Sequence, residues 1–197
     1  MVNWQRDVKT ENEIFKMSQA ARIEENMHER IFEVVEPGMK KNELVAEIYR
    51  SGIVGIDGSG GDYPAIVPLL PSGADAGAPH LTWDDKPIPG DAGTFFEIAG
   101  CYKRYHAPLS RTVYLGQPEQ RFLDAESALI EGLQAGLEAA KPGNVCEDIA
   151  NAFFGVLQKY GIHKDSRCGY PIGLSYPPEW GERTMSLRPG DRTVLEP

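Results

Sequence analysis

At 197 residues the chain can form one domain with a sizeable core, or one domain and a small lobe. Its 41% hydrophobic and 25% charged residues are ordinary for a globular protein, and no apolar run approaches the roughly 18–20 residues of a membrane span. A formal net charge of −9 argues against nucleic-acid or anionic-membrane partners, because phosphates need a basic surface.

The N-terminus, "MVNWQRDVKTENE", has no apolar core and no small-residue cleavage site, so it does not read as a signal peptide. Thr10 to Glu13 is a capping-box signature, and Ile14, Met17, Ala21, Met27, Ile31 and Val35 continue with helical spacing until Glu36-Pro37-Gly38. A second helix is predicted from about Asn42 to Tyr49. The glycine-dense "GIDGSGGDYP" lacks the Lys-Ser/Thr of a phosphate cradle and is expected to be a tight turn into a strand. "PAIVPLL" then reads as a strand broken by prolines. "IPGDAGTFFEIAGCY" and "YHAPLSRTVYLG" read as a hairpin joined at Lys103-Arg104. Two long helices are predicted over about 118–140 and 144–160. The rest is loop-rich and ends on a strand start, "RTVLEP".

One supersecondary plan occurs twice. "VVEPGMKKNELVAEIYRSGI" and "AAKPGNVCEDIANAFFGVLQKYGI" each end a long helix, pass through Pro-Gly, open a shorter helix after an acid and close on Gly-Ile. Pro37 and Pro142 lie 105 positions apart (142 − 37), and Glu43 and Asp148 keep that offset. Such a repeat implies two similar halves packed face to face. A hairpin follows the first copy. The chain stops at Pro197 before a second could form, so it reads as a truncated domain with exposed sheet edges.

Glu97 is the first candidate for chemistry. It interrupts an apolar strand and shares a face with Phe95 and Ala99. A carboxylate there needs a partner: either a structural ion pair with Arg104 or Arg111, or a role in proton transfer or nucleophilic attack. His80 lies in a proline-flanked loop near Trp83 and Asp84, and either a surface or a functional role fits it. Either Tyr105 or His106 should face the same side as Glu97. His28 reads as a solvated helix residue, and His163 as the end of the last helix. Trp180 lies between Glu179 and Glu182, close to Arg183. The group could hold a small zwitterion or form a plain surface loop. Too few acids and histidines converge on the hairpin for a two-metal centre. The three cysteines, Cys101, Cys146 and Cys168, form no C-x-x-C pair. They suggest no zinc ribbon or disulfide framework, and a reducing cytoplasm is the simplest setting.

These residues resemble the catalytic domain of the pita-bread family of methionine aminopeptidases, Xaa-Pro peptidases, prolidases and creatinase. Metal-dependent members carry D-x-G, a Gly-Tyr, and S-D-x-T-R-T on the hairpin. Here the frame reads Glu97-Ile98-Ala99, Arg104-Tyr105, and Ala107-Pro108-Leu109-Ser110-Arg111-Thr112. The first metal Asp is Glu97 and the second is Pro108. The metal-ligand His of G-H-x-x-G is Tyr170, and a further His falls on Pro177. The pattern looks like a metal-free branch, as creatinase is, with no cofactor. Long blocks narrow the resemblance to hydrolases of a small cyclic amidine that carries a carboxylate.

The resemblance implies an α/β fold of two pseudo-symmetric halves, antiparallel sheet covered by helices. The chain would be one incomplete catalytic domain over 1–197, without the N-terminal creatinase-type domain and the final strands. Glu97 would attack the amidine carbon or activate water, and His80 would shuttle protons. Trp83, Tyr105, Tyr170 and Trp180 would line the pocket, and Arg183 would take the substrate carboxylate. A cytoplasmic homodimer acting on a small molecule is the expectation. The alternatives are an Xaa-Pro peptidase and a pita-bread binding module without catalysis.

Overall fold

The computed structural model describes residues 2–197. It divides into two compact units. One holds residues 9–118 and 172–180; the other holds the N-terminal residues through Val8, 119–171 and 181–197. Each unit contains one copy of the repeated helix pair. A short helix, α1 (Val2–Gln5), was not anticipated from the sequence.

In the first unit α2 (Glu11–Val34) begins where Thr10 closes a capping box. The Glu13 N–H donates to Thr10 Oγ1, and the Thr10 N–H returns a 2.9 Å bond to the Glu13 carboxylate. Pro37 and Gly38, whose φ is 90°, turn the chain into α3 (Lys41–Val54), which runs longer than its sequence pattern suggested. Ile23, Met27 and Ile31 of α2 and Leu44, Val45 and Ile48 of α3 form one core with Leu70, Ile88, Phe96 and Ile98. Each such side chain contributes about 1.5–3 kcal/mol relative to remaining exposed.

Strands β1 (Ala92–Tyr102) and β2 (Tyr105–Leu115) pair antiparallel along their whole length. The turn is the expected Lys103-Arg104, with φ of 50° and 67°, the left-handed pair that matches strand twist in a two-residue hairpin. Thr94, Phe96, Ile98 and Gly100 share one face of β1, and Phe96 and Ile98 belong to the core with α2 and α3. A Cβ on Gly100 would lie 2.0 Å from the Ala20 carbonyl oxygen, so helix and strand backbones meet there. The "PAIVPLL" stretch is not a strand. Its prolines lack N–H donors, and within it only Leu69 makes an isolated bridge, to Glu97, while Ser72 just beyond it bridges Thr94. "GIDGSGGDYP" forms the tight turn, closed by Ile56 and Ser59, but no strand follows it. His28 is a correction. It is buried at 4% exposure beside Glu24, because its stripe of α2 faces inward.

In the second unit α4 (Gln120–Ala139) and α5 (Cys146–Lys159) repeat the plan. The bounds of α5 lie 105 positions after those of α3 (146 − 41 and 159 − 54). Gly143 also has φ of 90°, and Asp148 caps the Val145 N–H at 2.9 Å, as Glu43 caps Lys40. Gly38 donates to the Ile88 carbonyl, and Gly143 donates equivalently to Leu195. "RTVLEP" therefore makes a single bridge, Val145 to Val194, rather than starting a strand. His163 lies beyond the last residue of α5, exposed and bonded to Asp165. Back in the first unit, β3 (Ile172–Tyr176) and β4 (Glu179–Gly181, whose last residue falls to the other unit) extend the hairpin sheet in the order β1-β2-β3-β4.

Candidate active-site face of the hairpin

Side chains alternate across a strand, so the face opposite the helices carries Phe95, Glu97, Ala99 and Cys101 from β1. Register adds their partners on β2: Thr112, Ser110, Pro108 and His106. Glu97 is the carboxylate of this face and is partly exposed. It has no hydrogen bond or ion pair from its side chain among the described residues.

The ion pairs considered for Glu97 do not form. Arg111 is paired with Phe96, on the helix side of the hairpin, and donates to the Ser110 carbonyl. Arg104 is committed elsewhere. Its guanidinium lies 4.1 Å from the Tyr63 ring centre and 4.7 Å from that of Tyr176, and it donates to the Tyr63 and Ser175 carbonyls.

His106, not Tyr105, shares the face of Glu97. It is fully buried: Nε2 accepts the Ala65 N–H at 2.9 Å, and Nδ1 lies 3.1 Å from the Arg104 carbonyl, which fixes an Nδ1–H tautomer. Burial, reinforced by the Arg104 charge, pulls its pKa down to about 4. With both nitrogens engaged, His106 holds the 62–65 loop against the hairpin tip rather than moving protons. Burial pushes the neighbouring Cys101 thiol up to about 11, so it is not a nucleophile.

His80 is exposed in a left-handed conformation, φ 67°, a region that histidine enters more readily than most residues. Leu69 and Glu97 exchange both backbone hydrogen bonds, and the Leu70 N–H donates to the Leu81 carbonyl. The loop that carries His80 is thus tied, through Leu81, to the residue next to the bridge partner of Glu97.

Three expected pocket residues are placed elsewhere. Tyr105 is buried on the helix side; its hydroxyl donates to Glu13 at 3.0 Å, and Lys16 lies over its ring. Trp83 packs edge-on against Tyr49 of α3 and joins the helical core. Trp180 is 1% exposed, so its ring is no open platform for a cation. Tyr170 and Arg183 lie in the second unit. Arg167 stacks on Tyr170, and Arg183 is exposed. The sequence reading missed Ser110; the pairing register is what brings it beside Glu97.

The model of the metallopeptidase family M24 matches residues 16–197. Ectoine hydrolase from Halomonas elongata is 61% identical over the whole chain, which covers 51% of that protein. An uncharacterized hydrolase/peptidase of Sinorhizobium fredii is 42% identical, again over the whole chain and 50% of its own length. Among solved structures, prolidase from Pyrococcus furiosus superposes with a TM-score of 0.85 at 24% identity, covering 99% of this chain and 56% of the prolidase. The fold is thus the pita-bread fold, and the chain spans about half the length of the relatives it matches. The family name implies a metal, but the residues here do not fit one. Pro108 lies beside Ser110 on the open face, and no three His, Cys, Asp or Glu side chains converge among the described residues.

Proposed function

The chain belongs to the metallopeptidase family M24, and from that premise we propose that it is the catalytic segment of a hydrolase that opens the cyclic amidine of ectoine. The observation that carries this is Glu97: a lone carboxylate on the open face of the hairpin, unpaired, with both candidate arginines engaged elsewhere. The 61% identical relative supports the choice of substrate.

An amidinium carbon is already electrophilic, so a carboxylate can supply the nucleophile without a metal. Glu97 delivers oxygen to that carbon, either by deprotonating a water that adds there or by attacking the carbon itself to form a covalent adduct, which after ring opening a water hydrolyses at the Glu97 carboxyl carbon to free the residue and the product. The C=N electron pair moves onto a ring nitrogen and a tetrahedral centre forms. His80 brings a proton to the departing nitrogen, the C–N bond breaks, and N-acetyl-2,4-diaminobutyrate results. Cofactors have no part in this scheme. A soluble cytoplasmic enzyme, as a homodimer, is the setting we propose for it.

The test is turnover of ectoine by the full-length protein, with product identification, with and without a chelator. Glu97→Gln should abolish ring opening while leaving the fold intact. His80→Asn removes the imidazole but keeps a residue that tolerates left-handed backbone, and should slow turnover by about 10²–10⁴-fold. Near wild-type activity in Glu97→Gln would sink the proposal.

A further inference from the structure

Ser110 stands directly opposite Glu97 in the β1–β2 register. The type of pairing decides how close the two side chains come. Glu97 spends its N–H and its carbonyl on Leu69, at 3.0 and 3.1 Å. In an antiparallel sheet both groups of a residue point to the same side. Toward β2, therefore, Glu97 and Ser110 form the non-hydrogen-bonded kind of pair. In that kind the Cα atoms are about 4.5 Å apart and the side chains are closest. Both side chains emerge on the open face.

The other neighbours of Glu97 on that face are apolar except Thr112, which lies on the second diagonal, farther away than the directly opposite Ser110. Leu69 is across the opposite edge at 3% exposure, Phe95 and Ala99 are along the strand, and Pro108 is on the diagonal. Ser110 is exposed, and its hydroxyl makes no hydrogen bond to another group among the described residues.

We propose that Ser110 is a substrate-positioning residue of this site: its hydroxyl oxygen accepts a hydrogen bond from an amidinium N–H and so sets the adjacent carbon over Glu97. This rests on the cyclic-amidine reading above. The chemistry matches the spacing. An amidinium presents N–H groups on either side of its carbon. A short hydroxyl next to a longer carboxylate can take one N–H while the carboxylate faces the carbon. A charge-assisted bond of this kind is stronger than a neutral one.

The test separates binding from turnover in the full-length protein. In a Glu97→Gln background, which binds without reacting, calorimetry with ectoine should show Ser110→Ala weakening Kd about tenfold or more, and Ser110→Thr retaining most of the affinity. With Glu97 present, Ser110→Ala should raise KM and lower kcat together, because a misplaced carbon reacts poorly. Ser110→Ala binding and turning over ectoine like the parent would show a solvated surface serine only. That overturns the inference while leaving the proposed function standing. A Glu97→Gln protein that binds no ectoine, from a parent that opens none, overturns both.

Discussion

Met27 on α2 occupies the space left by Gly52 on α3, where an added Cβ would lie 2.9 Å from the methionine sulfur. In the second helix pair the same two positions, offset by 105 (132 − 27 and 157 − 52), hold Gly132 and Leu157. There a Cβ on the glycine would lie 3.2 Å from the leucine methyl. Large and small have changed helices, and the packing plan survives. A second contrast lies one position further along the first helix of each pair. Glu24 and His28 are buried in the first unit, whereas Leu129 and Leu133 stand 47% and 54% exposed in the second. The hairpin β1–β2 packs on α2, with Gly100 against Ala20 and Glu24. The comparison teaches that the repeated backbone plan is kept by complementary volume rather than by residue identity. It also teaches that the surroundings of a helix decide what its stripe can carry.

The largest effect should come from exchanging the pair. Met27→Gly alone should cost about 4 kcal/mol, through a cavity and a helix glycine, and Gly52→Leu alone about 2 kcal/mol by overpacking. Together they recreate the arrangement of the second unit, and the combined loss should fall well short of the sum. A coupling of about 2 kcal/mol in a denaturant double-mutant cycle is expected. Strict additivity would break the comparison.

A somewhat smaller effect separates the units by pH. The native state keeps His106 neutral down to about pH 4, whereas the unfolded chain takes a proton near pH 6.5. Stability is therefore full above that range and is lost as pH falls from about 6.5 toward 4, by about 3 kcal/mol. His106 belongs to the first unit; the second unit's His163 is exposed beside Asp165. Unfolding across this range should show the slope in the parent and a flatter one in His106→Gln. Equal slopes would remove His106 as the cause.

The smallest effect concerns the buried Glu24–His28 pair. Replacing both with leucine, as the second unit has, should be neutral or stabilising by about 1 kcal/mol, whereas His28→Leu alone should destabilise by leaving Glu24 buried without its partner. Thermal unfolding checks the order. A double variant less stable than His28→Leu would show that the hairpin requires the polar pair.

Much of this was legible from residues alone. Thr10 and Glu13 announced the first helix, the two Pro-Gly corners announced the repeat, and alternation placed Glu97 with Phe95 and Ala99. Motif spacing carried the family. Pockets were less legible. Tyr105, Trp83 and Trp180 are the residue types that line binding sites, but the same aromatic surface packs equally well into a core. His28 looked solvated because its sequence neighbours are charged, although helical period places them on other faces.

The sequence by itself therefore determined the helices, the hairpin and its turn, and the repeat, because capping, alternation and left-handed turn residues act within a few positions. Only the tertiary structure decided the partners. It buried His106 between the Ala65 amide and the Arg104 carbonyl and drew Arg104 between two tyrosines. It left Glu97 unpaired with Ser110 at its side. These outcomes depend on pairing register and on which groups meet across more than 40 positions of chain, and no local preference encodes either.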